Sequence, residues 1–129
     1  MGNSKIMIID DEKDLVHTIK SFLSSRNFDI SYAYDGNSGL EAIKKEKPDV
    51  IILDIMMPEK DGRGVLSELK KNEETRNIPV IMLTAKEDQY IRDYMLELGA
   101  YEYITKPYDS NILLRQINNV LNKKKDHEI

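Results

Sequence analysis

Four stretches of the chain end in residues that can do chemistry. "KIMIIDD" runs into Asp10 and Asp11, "VIILD" into Asp54, "VIMLT" into Thr84 and "YEYITK" into Lys106. Each has an ordinary explanation when taken singly. An aspartate after a strand is commonly a turn or a helix cap, a threonine there is structural, and Lys106-Pro107 would pass for a surface turn. Brought to one point, they make a site. Three carboxylates repel one another, which raises the cost of keeping all three ionised, and a divalent cation relieves that repulsion. Mg2+ suits such a set best, because it takes oxygen ligands, keeps several waters and is commonly held by one or two carboxylates plus phosphate oxygens. A hydroxyl from Thr84 and an ammonium from Lys106 complete a site for a phosphoryl group, with a carboxylate as possible nucleophile.

The elements carrying these residues alternate strand and helix five times. Val50 to Leu53, between Pro48 and Pro58, is an unbroken apolar run of the kind buried on both faces of a parallel sheet. An acid at its end either projects into a crevice beyond the sheet or is a buried charge, costly if unpaired. Lys5 to Ile9 is the first strand, followed by a helix with Leu15, Ile19, Phe22 and Leu23 on one face. Phe28 to Ala33 is the second strand, after which "DGNSG" supplies turn residues before a helix carrying Leu40 and Ile43. Gly64 to Lys71 is the third helix, with Val65, Leu66 and Leu69 as its apolar stripe. Pro79 opens the fourth strand, and the fourth helix, with Ile91, Met95 and Leu98 as its core stripe, is closed by Gly99 as a C-cap. "YEYIT" is the fifth strand, and Ile112, Leu113, Ile117, Val120 and Leu121 form the apolar face of the last helix. Strict alternation implies a flavodoxin-like, doubly wound α/β fold, with a parallel five-stranded sheet of order 2-1-3-4-5 and helices on both faces. Its ligand site lies beyond the carboxyl ends of the first and third strands, where the strand order reverses. Those are the strands that end in Asp10, Asp11 and Asp54.

Composition narrows the function classes. A chain of 129 residues without repeats or a Ser/Gly-rich linker reads as one domain, 1–129, with its core at about 5–125 and a short polar tail at 123–129. No cysteine is present, which removes disulfides and thiolate metal sites and suits a reducing cytoplasm. The apolar runs are far shorter than the ~20 residues of a membrane span, so no membrane insertion and a cytoplasmic location are expected. The net charge of −4, with acids and bases interspersed, argues against direct nucleic-acid binding. The basic run Lys123 to Lys125 reads as a solvated helix end favoured by the helix dipole. His17 is expected on the exposed side of the first helix, and His127 in a frayed tail.

From about Lys5 to Lys125 the chain resembles the receiver domain of two-component response regulators. The likeness is carried by "IIDDE", Asp35–Gly36, "PDVIILDIMMPEKDG", "VIMLTAK" and "GAYEYITKPY" in their spacing. It implies a phosphoacceptor signalling domain rather than an enzyme, in which Asp54 takes a phosphoryl group from a sensor histidine kinase or phosphotransfer protein. It further implies that Asp11, Asp54 and the main-chain carbonyl of Met56 bind Mg2+, with Asp10 acting through water. By the same resemblance Thr84 bonds a phosphoryl oxygen, Lys106 pairs with the phosphoryl charge, Tyr103 is the switch aromatic and the Lys106–Pro107 bond is cis. The fourth helix, fifth strand and fifth helix would form the output surface. The resemblance also implies that Met56 and Lys86 occupy positions that tune autodephosphorylation, and an apolar Met56, unable to orient water, is expected to give a long-lived phosphoryl state.

Five of the seven tyrosines, Tyr90, Tyr94, Tyr101, Tyr103 and Tyr108, fall within nineteen residues. Either they shield the edge of the core or they form an aromatic partner surface, a residue preference common at interfaces. Tyr101–Glu102 stands where the family often has an acidic pair, and Tyr108 where it has Phe. These departures put the dimer mode of transcription-factor members in doubt, leaving a monomer or a phosphorylation-dependent dimer. An aspartate-nucleophile phosphohydrolase would need a second Asp at the position of Met56, and a flavin site would need a phosphate cradle where Asp10, Asp11 and Glu12 stand. The tail "NKKKDHEI" leads to the expectation of a stand-alone receiver, with a receiver segment of a longer regulator or hybrid kinase as the alternative.

Overall fold

The computed structural model describes residues 2–85 and 88–128, with side chains as far as residue 123. Its elements run β1 (Lys5–Ile9), α1 (Lys13–Ser24), β2 (Asp29–Ala33), α2 (Gly36–Lys45), β3 (Val50–Leu53), α3 (Gly62–Lys71), β4 (Val80–Thr84), α4 (Gln89–Glu97), β5 (Glu102–Thr105) and α5 (Ser110–Glu128). All strand pairings are parallel, in the order β2-β1-β3-β4-β5. The expected doubly wound sheet is therefore the observed one. No described helix is long and apolar enough to cross a membrane.

Apolar runs without polar alternation are needed because the sheet is covered twice. Successive side chains of a strand point to opposite faces. Met7, Ile9, Ile51, Leu53, Val80 and Met82 pack with α2, α3 and α4, while Ile6, Ile8, Val50, Ile52, Ile81 and Leu83 pack with α1 and α5. A polar residue at any of these positions would lie in one core or the other, so the first acids come only where the strands end.

Several sequence expectations require correction. The "DGNSG" segment is not a turn ahead of α2 but its cap and first turn. Asp35 is the N-cap, accepting from the Ser38 backbone N–H at 2.8 Å and from its hydroxyl at 2.9 Å. Gly39 serves close packing there, since a Cβ would stand 2.6 Å from Ile9 Cδ1. In α1 the fully buried residues are Val16, Ile19 and Leu23, with Leu15 and Phe22 on the flanks. Only Met95 of α4 is fully buried, and Ile91 and Leu98 pack at the margin. Ile112 is 44% exposed. The buried stripe of α5 is Leu113, Ile117 and Val120, and one residue of helix turns Ile112 about 100° away from it. The second, third and fifth elements of their kind begin one or two residues from where the pattern placed them, at Asp29, Gly62 and Glu102.

Gly99 fulfils its expectation with φ +114°. The N–H of Gly99 donates to Leu96 and that of Ala100 to Met95, the paired bonds of a Schellman stop. Gly62 has a different reason. Its N–H donates to the Ile55 carbonyl at 2.8 Å, folding the β3–α3 loop back on itself, and a Cβ would stand 2.2 Å from the Asp54 carbonyl oxygen. Gly62→Ala is expected to destabilise the protein by about 2 kcal/mol, the scale of overpacking against backbone. Gly64→Ala, which would meet only the flexible Lys60 side chain at 3.3 Å, should be neutral or slightly stabilising in a urea titration.

Candidate functional site

The strand ends place the reactive residues. Ile9 pairs with Leu53 in the β1–β3 ladder, and the Asp54 N–H donates to the Ile9 carbonyl at 3.0 Å, so the residues that follow, Asp10 and Asp54, are neighbours. Thr84 pairs with Thr105, and the Lys106 N–H donates to the Thr84 carbonyl at 2.8 Å. Lys106 thus starts two strands away from Asp54 and reaches back across the sheet end. The bond to Pro107 is cis.

The Lys106 ammonium meets three carboxylates: Asp10 at 2.9 Å, Glu12 at 3.1 Å and Asp54 at 3.2 Å. Asp10 and Asp54 are buried, and the Lys106 side chain is nearly so. Both possibilities raised by the acid at the end of β3 are realised, since Asp54 lies at the mouth of the sheet and is also a buried charge with a partner. Burial pushes the Asp10 carboxyl above the ordinary range, more strongly than Lys106 and the Glu12 N–H pull it down. Burial alone would lower the Lys106 ammonium, but the hydrogen bond and charge of Asp10, joined by Asp54 and Glu12, raise it well above its usual value. The remaining Asp54 oxygen accepts a long bond from the Met56 N–H, 3.3 Å.

Asp11 points elsewhere. It is exposed and lines a cleft with Met56, Met57, Asp61, Arg63 and Ile91. The acid that joins Asp10 and Asp54 is Glu12, for which the sequence pattern implies no role as a ligand or a partner of Lys106. The chain bends at Asp11, where the Asp10 carboxylate accepts from the Glu12 N–H at 2.9 Å, and Glu12 rather than Asp11 faces Lys106.

Thr84 is fully buried at the end of β4, and Tyr103 is buried in β5, where burial raises its hydroxyl. Arg92 of α4 is a second residue without a sequence signal. It donates to the Tyr103 carbonyl at 3.3 Å, lies 3.5 Å from Glu102 and stacks 5.7 Å from the Tyr103 ring centroid. Met56 is exposed at the mouth. Tyr90 and Tyr94 are exposed on α4, while Tyr101 and Tyr108 are half-buried against the α1–α5 core. His17 is exposed on α1, as expected, beside Tyr34. Lys86 lies outside the described residues, as do the side chains of Lys124, Lys125 and His127.

The carboxylate oxygens of Asp10, Glu12 and Asp54 lie within 4.8 Å of one another. Three acids facing one ammonium leave two negative charges over, and the buried pair Asp10 and Asp54 offers hard oxygen donors, which fits Mg2+. The profile of the family described as "Response regulator receiver domain" matches residues 6–118. This chain belongs to that family. Among solved structures, the receiver domain of Francisella response regulator 1452 is 32% identical, covering 95% of this chain and 99% of its own, with a TM-score of 0.88. A response regulator receiver domain protein from Clostridium thermocellum is 34% identical over 95% and 97% of the two chains, TM-score 0.87. The signal receiver domain of a signal transduction histidine kinase from Syntrophus aciditrophicus is 30% identical over 93% and 91%, TM-score 0.86. Receiver domains are signalling domains that work with histidine kinases or phosphotransfer proteins, take up phosphoryl groups and bind Mg2+ at an acidic pocket.

The electrostatics of this receiver's pocket predict opposite effects of two substitutions. An acid whose folded pKa is raised costs stability above that pKa and costs nothing once protonated in both states. Asp10→Asn should therefore stabilise the protein at neutral pH by about 1 kcal/mol, and the gain should shrink as pH falls below the raised pKa of Asp10 and vanish only below the ordinary carboxylate range. Lys106→Met strands the acids and should destabilise by about 3 kcal/mol in chelator, with added Mg2+ narrowing the loss. Urea titrations at several pH values with and without Mg2+ check both.

Proposed function

We propose that Asp54 is the phosphoacceptor of this receiver, taking its phosphoryl group from a phosphohistidine of a sensor histidine kinase or phosphotransfer protein. The observation that carries the reading is the Lys106 ammonium seated between Asp54 and Asp10 at the carboxyl end of the sheet. An Asp54 carboxylate oxygen attacks phosphorus, the new P–O bond forms as the P–N bond breaks, and the imidazole leaves with the electron pair and takes a proton. Lys106 then pairs with the phosphoryl oxygens, and the Thr84 hydroxyl bonds one of them. When bound by Asp54, Asp11 and the Met56 carbonyl, with Asp10 through water, Mg2+ would neutralise charge on the transferring oxygens. The inward set of Asp10 and Asp54 supports that assignment, and Asp11, beside Met56 at the rim, needs only to turn inward to join it.

The acyl phosphate is a switch. It adds roughly one to two negative charges and new acceptors, drawing Thr84 toward the phosphoryl group and altering the space around Tyr103. Arg92 ties Tyr103 to α4, which directs the output to α4, β5 and α5. Exposed Tyr90 and Tyr94 favour an aromatic partner surface there, with Tyr101 and Tyr108 as its half-buried margin. Met56 and Lys86 tune the lifetime of the phosphoryl group. A phosphohydrolase is disfavoured by exposed, apolar Met56, which supplies no acid for the leaving group.

Intact-protein mass after incubation with Mg2+ and a small acyl phosphate donor tests the reading. The expected result is a gain of one phosphoryl group that disappears in Asp54→Asn and in chelator, and that slows about tenfold or more in Lys106→Ala. A gain that persists in folded Asp54→Asn would overturn it.

A further inference from the structure

Lys106 has no proton to spare. An ammonium carries three N–H donors, and here they face Asp10, Glu12 and Asp54. Resting on the proposed phosphoacceptor role of Asp54, a consequence follows: phosphoryl oxygens can gain Lys106 only if one carboxylate gives it up. The three are unequal. Asp10 is 3% exposed and also pinned by the Glu12 N–H at 2.9 Å, so releasing it would leave a buried charge short of a partner. Asp54 is 4% exposed, and phosphorylation removes its carboxylate charge, which frees one Lys106 donor for the phosphoryl group and leaves a second to come from Asp10 or Glu12. The Glu12 side chain is 60% exposed, so water can replace its ion pair at small cost.

Glu12 is also the N-cap residue of α1, yet its side chain makes no capping hydrogen bond. Its carboxylate is turned to Lys106 instead, and the helix does not depend on it. We propose that Glu12 is a positioning residue that holds Lys106 in the resting receiver and is the further partner, beyond the modified Asp54, that Lys106 exchanges for the phosphoryl group. Two effects follow from one contact. The Glu12 charge opposes the approach of an anionic donor, and its return to Lys106 competes with the phosphoryl group once the group is in place. Glu12 thereby shortens the phosphorylated state and raises the donor concentration needed to reach it.

Two substitutions separate the contact from the charge. Glu12→Gln keeps the length and removes the charge. Glu12→Asp keeps the charge, but the shorter side chain is suited to accept from the α1 backbone as a cap, which takes it off Lys106. Phosphorylation is followed by intact mass over a range of acyl phosphate concentrations. The lifetime is measured after donor removal, and Mg2+ affinity by calorimetry without donor. Glu12→Gln should lower the half-saturating donor concentration and lengthen the lifetime, each by roughly threefold or more, the scale of one like charge removed near the surface. Glu12→Asp should lengthen the lifetime without lowering the half-saturation, and Mg2+ affinity should stay within about twofold of wild type in both, since a surface-screened charge contributes little there.

Unchanged half-saturation and lifetime in Glu12→Gln would overturn the inference while leaving Asp54 as acceptor. A large loss of Mg2+ affinity with slowed phosphorylation would overturn it in favour of Glu12 as a metal ligand. A folded wild-type protein that takes up no phosphoryl group from any donor would remove the Asp54 reading and this inference together.

Discussion

One ammonium holds together the ends of three strands. Lys106 leaves β5 and bonds acids that follow β1 and β3, so the mouth of the sheet is closed by an ion cluster rather than by apolar packing. The cluster is not balanced, since two buried acids and one exposed acid share a single cation. Buried ion pairs are generally poor sources of stability, because desolvation offsets most of the attraction. Here the imbalance is expressed in Asp10, whose carboxyl is raised by burial in spite of its bond to Lys106. A resting site with negative charge left over has a ready use for a divalent cation, and local rules of foldability are most often broken where function requires it.

The rest of the fold makes that cluster possible. Both faces of the central strands are apolar, so polar groups are confined to the strand ends. The β1–β3 register sets Asp10 and Asp54 side by side, and the return of the β3–α3 loop, which only glycine permits at position 62, keeps the Asp54 backbone against the start of α3. Packing and electrostatics are therefore linked. A Cβ at Gly62 would push on the carbonyl of the residue that carries the chemistry.

Much of this was legible in the residues. Unbroken apolar runs located β1, β3 and β4 to the residue, because strands buried on both faces admit no polar interruption. The start of α2 was missed for the opposite reason: Gly36 and Gly39 look like turn residues, and their role in close helix packing against Val65 and Ile9 depends on elements distant in sequence. Ile112 fits the apolar pattern of α5 yet lies outside its buried stripe, since a helix with adjacent apolar residues does not say which one faces inward. At the site, Asp10, Asp54 and Lys106 were readable from position alone. Glu12 was not singled out as a partner of Lys106, because "DDE" offers three acids and which of them turns toward Lys106 depends on where β5 ends.

The same dependence on tertiary placement governs how a change at Asp54 reaches the surface. Tyr103 is fixed by its burial, by the Glu102 carboxylate accepting from its N–H at 2.9 Å, and by Arg92, which bonds its carbonyl and faces its ring. Arg92 belongs to α4, a helix with a single fully buried residue, Met95. An element held so lightly by the core can shift at low cost, whereas β5 is bonded to β4 along its length. In the proposed switch, movement around Thr84 and Tyr103 is therefore transmitted to α4 rather than absorbed by the strand. Arg92 is the link through which Tyr90 and Tyr94, exposed on the same helix, would change their presentation to a partner.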